Sequence, residues 1–82
     1  MIKVYGTRLC KDCVALEHLY QTHNIPYEFL DFNDDLQNLK DFLRLRDHSP
    51  LFDLPRREGS IGIPCILLDD NTLTLTPEDA LT

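Results

Sequence analysis

The sequence predicts an α/β domain with the element order β-α-β-α-β-β-α and a four-stranded mixed sheet. Three observations carry that expectation. Short apolar runs at residues 2–5 and 27–32 flank a segment in which Cys13, Leu16, Leu19 and Tyr20 recur at helical spacing. A second helix-period stripe, Leu36, Leu39, Phe42, Leu43 and Leu45, follows the second run. Two further strand-like runs, 65–69 and 72–75, are joined by Asp70-Asn71, a pair suited to a hairpin turn.

In chain order, Ile2 and Val4 fall on one face of the first strand, which Gly6-Thr7 ends. The first helix starts at the Cys10–Cys13 segment and runs towards His23, with Glu17, His18 and Gln21 opposite its apolar side. Asn24 is a left-handed stop, and Pro26 forbids continuation. In the second strand Tyr27, Phe29 and Asp31 alternate with Glu28, Leu30 and Phe32. Asn33 is the expected N-cap of a helix over 34–46, with Asp34 and Asp35 in its first turn and Arg44 and Arg46 near its C-terminus, as the helix dipole prefers. Residues 47–62 hold Pro50, Pro55, Gly59 and Gly62 and form the least regular stretch, where Leu51, Phe52 and Leu54 suggest a helical turn that packs down. Irregular segments of this length in small domains often carry function. Thr76, Pro77 and the acidic Glu78-Asp79 open a final helix of hardly more than one turn. The first two strands, joined by a helix, are expected to be parallel, and the last two an antiparallel hairpin.

With 82 residues, the chain 1–82 has room for one small domain and no second core. Eight Lys and Arg against fourteen Asp and Glu leave a net charge of −6, which argues against general binding to nucleic acid or anionic membranes. No apolar run approaches the length of a membrane span, and the first residues lack the apolar region of a signal peptide. The expected location is therefore cytoplasmic. In that reducing compartment a CxxC is a redox or metal motif before it is a structural disulfide.

Cys10-Lys11-Asp12-Cys13 is the stretch on which the chemistry turns. Strand, loop, dithiol and helix in succession put two thiols at a helix N-terminus, whose partial positive charge and unpaired N–H groups favour a thiolate. Cys10, at the very start, gains most from this, and Cys13, one turn further in, is better covered. Such a pair can divide labour, with Cys10 attacking a disulfide and Cys13 resolving the mixed disulfide. Two small buried residues in a helix start, or a metal site, are the other readings. Zinc asks for four protein ligands and only Cys65 is an obvious third, so no metal ligands are assigned. Cys65 itself is expected to be a small buried strand residue, the alternative being a third thiol near the dithiol.

The order of elements resembles the thioredoxin fold in its short glutaredoxin form, over nearly the whole chain. The features that carry the likeness are the run from Tyr5 to Cys13, Ile25-Pro26-Tyr27 before the second strand, Gly62-Ile63-Pro64 before the third, and the terminal hairpin. More narrowly, Phe42-Leu43-Arg44-Leu45-Arg46-Asp47 with Gly59-Ser60-Ile61-Gly62-Ile63-Pro64-Cys65 looks like a bacterial group called glutaredoxin-related proteins. The resemblance implies that Pro64 is cis and lies beside the dithiol, and that the backbone of Ile63 pairs with an extended substrate. Some glutaredoxins also bridge an iron–sulfur cluster between two chains through the first cysteine.

The chain departs from that family in two places. Most glutaredoxins have Pro-Tyr between the cysteines where this chain has Lys11-Asp12; Lys11 favours the Cys10 thiolate and Asp12 opposes it. Glutathione-using members carry Gly-Gly and an acidic residue after the fourth strand, where a helix N-terminus receives a carboxylate. Here Thr76-Pro77-Glu78-Asp79 removes an N–H and adds two carboxylates, which weakens the case for glutathione.

The function expected is thiol–disulfide exchange, with Cys10 as nucleophile, Cys13 resolving, and Ile63 and Pro64 holding the substrate. The substrate would be a disulfide-containing protein or a glutathione mixed disulfide, with no tightly bound cofactor. Glutathione or a flavoprotein disulfide reductase would supply electrons. Arg8, Lys11, Arg56 and Arg57 are candidates to hold an anionic thiol, though each arginine reads somewhat more readily as part of a solvated face. His18, His23 and His48 have no partner at ligand spacing and read as surface residues. The competing reading is a redox-sensing or metal-binding module that uses the same cysteines, with a homodimer or partner covering the thin side left by the short last helix.

Overall fold

The computed structural model describes residues 1–81. Four strands, β1 (Ile2–Gly6), β2 (Tyr27–Asp31), β3 (Cys65–Leu67) and β4 (Leu73–Thr74), form one open sheet in the order β2-β1-β3-β4. β1 runs parallel to β2 and antiparallel to β3, and β3 is antiparallel to β4, so the sheet is mixed. The helices are α1 (Lys11–Thr22), α2 (Leu36–Asp47) and α3 (Asp53–Glu58). Two 3-10 turns, Pro50–Phe52 and Pro77–Leu81, complete the chain.

β1 is a central strand, and both of its faces are covered. Ile2 and Val4 pack with Leu16 and Tyr20 of α1 and with Ile66. Tyr5 points the other way, into a second core with Phe42 of α2, Phe52 and Cys65. Tyr5 and Cys65 are paired across β1 and β3, as are Val4 and Ile66, so each pair shares one face. Aromatic contacts knit each layer. The rings of Phe42 and Phe52 meet edge to face with centroids 5.8 Å apart, as do those of Tyr20 and Tyr27 at 5.7 Å. The Tyr20 hydroxyl donates to the Pro77 carbonyl at 2.9 Å and so pins the last turn against α1.

Several local expectations hold. Asn24 has φ 55° and ends α1. Asn71 has φ 68° in the hairpin turn, where the Asp70 side chain accepts the Thr72 N–H at 2.9 Å. Other expectations are corrected. The N-cap of α2 is Asp35, which accepts the Gln37 N–H at 2.8 Å, and not Asn33. Asn33 is engaged elsewhere: its N–H goes to Asp31 Oδ1 and its amide to Thr7 Oγ1. The helix accordingly starts two residues later than expected, at Leu36.

Leu36 is 61% exposed and Leu43 39% exposed, so α2 buries a narrower stripe than the sequence suggests. Only Phe42 is fully buried, flanked by Leu39 and Leu45, because Phe52 fills the rest of that sheet face. The final helix is a 3-10 turn. In the irregular stretch α3 is longer than the single turn expected. Pro55 sits in its first turn, where a missing N–H breaks no helical bond. No helix among the described residues is long and apolar enough to cross a membrane.

Candidate functional site

The loop from Gly6 to Leu9 leaves the end of β1 and delivers the chain to α1. The Thr7 carbonyl accepts the Cys10 N–H at 3.0 Å. Cys10 is the N-cap of α1 in an extended conformation, and its carbonyl accepts the N–H groups of Cys13 and Val14, both at 3.1 Å. The loop is fastened from β2 by Asp31, which is almost fully buried. Asp31 Oδ2 accepts the Arg8 N–H at 3.1 Å, and Oδ1 accepts the Asn33 N–H at 2.8 Å. Burial opposes the Asp31 charge, but the N–H groups of Asn33 and Arg8 and the Arg8 guanidinium prevail and hold the carboxyl below its ordinary range. Thr7 Oγ1 adds a second tie, accepting both the Leu9 N–H at 3.2 Å and the Asn33 amide at 2.7 Å.

The two thiols differ in surroundings. Cys10 is half-buried and Cys13 is fully buried; neither they nor Cys65 is in a disulfide. Burial pushes the Cys13 thiol up to about 12; a hydrogen bond from the Thr7 backbone pulls against this, while the Cys10 side chain and Asp12 push with it. Cys13 fits because Gly6 has no side chain: a Cβ there would stand 2.6 Å from Cys13 Sγ. Cys65 lies in the core on the α2 face of the sheet, whereas Cys13 belongs to α1 on the other. It behaves as the buried strand residue expected, with its thiol also pushed up to about 12 by burial.

The Ile63–Pro64 peptide bond is cis. An open groove of about 460 Å³ runs between the dithiol loop and residues 59–63, lined by Thr7, Leu9, Cys10, Gly59, Ser60, Ile61, Gly62 and Ile63. On the other side of Ile63 a cleft of about 480 Å³ is lined by Asp12, Ala15, Leu16, Leu19, Ile63, Pro64, Leu75, Pro77 and Glu78. Ile63 is the residue common to both.

An uncharacterized protein of Haemophilus influenzae is 39% identical to this chain over 72 residues, which cover 88% of this chain and 84% of that protein. The chain belongs to the family of that protein. No family model matches the sequence, and no solved structure matches it.

In this family member the residues expected to act are not all gathered at one place. Cys10 and Ile63 share the groove; Cys13 is buried and does not line it, and Pro64 is buried at the adjoining cleft. Lys11 is exposed at the first residue of α1. Arg8 is committed elsewhere: its guanidinium meets Glu17 at 3.2 Å, Asp31 at 3.6 Å and Asp34 at 3.7 Å, and lies 4.6 Å from the centre of the Phe29 ring. Arg56 donates to the Arg46 carbonyl at 2.9 Å and pairs with Asp53 at 2.7 Å, an architectural role at the join of α2 and α3. Arg57 is exposed on α3, and neither of these two arginines lines the groove. Among the described residues no three His, Cys, Asp or Glu side chains are grouped to hold a metal ion.

Sequence reasoning missed Asp31, Gly6 and the groove walls Leu9 and Ile61. A carboxylate at an otherwise apolar strand position was the available signal for Asp31. A glycine directly before the dithiol loop was the signal for Gly6.

Proposed function

We propose that this chain is a thiol–disulfide oxidoreductase with a thioredoxin-type fold of the glutaredoxin kind, related to the glutaredoxin-related proteins. The observation that carries the reading is the pairing of a half-exposed Cys10 at the N-cap of α1 with a buried Cys13 one helical turn on, where Cys10 opens onto a groove that it shares with Ile63, the residue before cis-Pro64. The strand order and the two helix-bearing faces agree with that fold.

In the proposed cycle Cys10 attacks as thiolate. Its sulfur bonds to one substrate sulfur, the substrate disulfide breaks, and the departing sulfur leaves as a thiolate that takes up a proton. Cys13, held protonated at neutral pH by burial, then gives up its proton and attacks Cys10. The mixed disulfide breaks, the second substrate sulfur leaves as a thiol, and a Cys10–Cys13 disulfide remains. Two electrons have passed from the dithiol to the substrate. A thiol such as glutathione, or a flavoprotein disulfide reductase, would return them.

Two assays test this reading. The reduced protein is expected to reduce a protein disulfide or a glutathione mixed disulfide. Cys10→Ser should abolish the reaction, and Cys13→Ser should accumulate a mixed disulfide on Cys10 that mass spectrometry detects. Inactivity of the intact protein in both assays would sink the proposal and favour a redox-sensing or metal-binding module. Survival of activity in Cys10→Ser would overturn the assignment of the nucleophile.

A further inference from the structure

The clefts on either side of Ile63 differ in chemistry, and an extended chain crossing Ile63 would touch both. On the Cys10 side the flanking groups are apolar: Leu9 is 86% exposed and Ile61 56% exposed, on opposite walls of the groove. On the other side the rim carries two exposed carboxylates, Asp12 from α1 and Glu78 from the last turn, above an apolar floor. Between them, the backbone N–H and C=O of Ile63 have no hydrogen-bond partner among the described residues. Ile63 precedes β3 and lies outside the sheet ladder, so these groups are free to pair with an extended peptide. The whole chain adds to the local field, with its net charge of −6.

We infer that the dithiol's preferred substrate is a protein disulfide in an extended segment that carries an apolar residue on one side of the attacked cysteine and a basic residue on the other. This rests on the oxidoreductase reading above and names its substrate class. The apolar residue lies between Leu9 and Ile61, where it covers side chains that are otherwise bare to water. The basic residue lies over Asp12 and Glu78. A carboxylate at that place, as in an acidic peptide or a glutathione mixed disulfide, meets like charge at the moment its sulfur must approach Cys10. Asp12 and Glu78 are thus the specificity-determining residues, one on each wall of the cleft.

The test is single-turnover reduction by the pre-reduced protein, under conditions of low ionic strength. The substrates are peptides with one internal disulfide that differ only at the position beside the cysteine, with Lys, Gln or Glu, together with hydroxyethyl disulfide as an uncharged reference. The Lys peptide is expected to react about tenfold faster than the Glu peptide, the size of effect that reversing a few exposed charge contacts gives. Raising the salt concentration should shrink that ratio. In the Asp12→Asn, Glu78→Gln double variant the ratio should fall to near one. Comparing two peptides within each variant cancels any effect of Asp12 on the intrinsic reactivity of the thiols. Equal rates for the Lys and Glu peptides, or a ratio that the double variant leaves unchanged, would overturn the inference while reduction of hydroxyethyl disulfide still upholds the redox reading. Failure to reduce any of these disulfides would overturn both.

Discussion

Cys13 occupies the space that a side chain on Gly6 would need: a Cβ built at Gly6 lies 2.6 Å from Cys13 Sγ. The end of β1 and the first turn of α1 are therefore fitted to each other at the thiol assigned to resolve the mixed disulfide. Gly6→Ala must push Cys13, and α1 with it, away from the sheet. The expected loss is about 1–3 kcal/mol, typical of an overpacked interior, read from the urea midpoint. The chemical consequence is more specific. With Cys13 displaced, a mixed disulfide on Cys10 should persist after the substrate is mixed and quenched, as is expected of Cys13→Ser. A variant of unchanged stability with no such species would show that the close fit is unimportant.

Asp31 secures the same loop from the other side, through the N–H groups of Arg8 and Asn33. Its carboxyl titrates below the ordinary range in the folded protein. The stabilisation is therefore present above the pKa that the group has when unfolded, about 4, and is lost as pH falls through the lower folded value. Asp31→Asn retains the shape and removes the charge. It should destabilise the protein by about 1–3 kcal/mol at pH 7, as expected when buried donors lose a charged acceptor. That gap should close as denaturation is repeated at pH values falling below about 4. A gap of the same size at pH 3 and pH 7 would mean that the carboxylate charge contributes nothing.

These two residues mark the boundary of what was legible in the sequence. The order of elements along the chain, both long helices and the CxxC at a helix start came from periodicity and local chemistry, which act between near neighbours. The roles of Gly6 and Asp31 depend on which segments meet across the sheet, and periodicity does not encode that. The same is true of Arg8, which reads as a free cation in sequence and is surrounded by Glu17, Asp31 and Asp34 in three dimensions. Leu36 and Leu43 kept the helical spacing of a core stripe, yet Phe52, arriving from a later turn, had already filled the face they would have covered. The α3 helix was hidden by Pro55, a breaker in a helix interior but harmless in a first turn. The proximity of Ile63 to Cys10 was expected only from the family resemblance, since some fifty residues separate them in sequence.

Gly62 joins the groove to the core beneath it. It has φ +92°, and a Cβ there would lie 2.7 Å from Cδ1 and 2.9 Å from Cε1 of Phe52. Gly62→Ala meets both a backbone conformation that side chains disfavour and a ring that is fully buried. A loss of about 2–4 kcal/mol is expected from the two effects together. Phe52→Leu removes the ring and with it the clash, at the expense of a cavity. The double variant should therefore be more stable than the sum of the two single losses predicts, by about 1 kcal/mol or more, in a double-mutant cycle of denaturation midpoints. Strict additivity would show that Gly62 answers to its backbone angle alone.

Cys65 gives the alkaline side of the stability profile a separate handle, away from the dithiol. Burial pushes its thiol up to about 12, whereas an unfolded cysteine titrates near 8.5. The folded state thus keeps a proton that the unfolded state surrenders. Stability is complete below the unfolded value and falls as pH climbs towards the folded one. Between pH 8 and pH 10.5 this one group should remove about 2 kcal/mol. Cys13 and Tyr20, both also pushed up to about 12 by burial, add their own declines to the total. Cys65→Ala leaves those two in place and deletes only its own share. The difference in unfolding free energy between wild type and Cys65→Ala, measured in a phosphine reductant so that no disulfide forms, should shrink by about 2 kcal/mol over that range. The small cavity left by the substitution shifts the curve by a constant and does not change its slope. Parallel curves from pH 8 to pH 10.5 would mean that the Cys65 thiol ionises in the folded protein as readily as in the unfolded chain, and that this core admits water on the α2 side of the sheet.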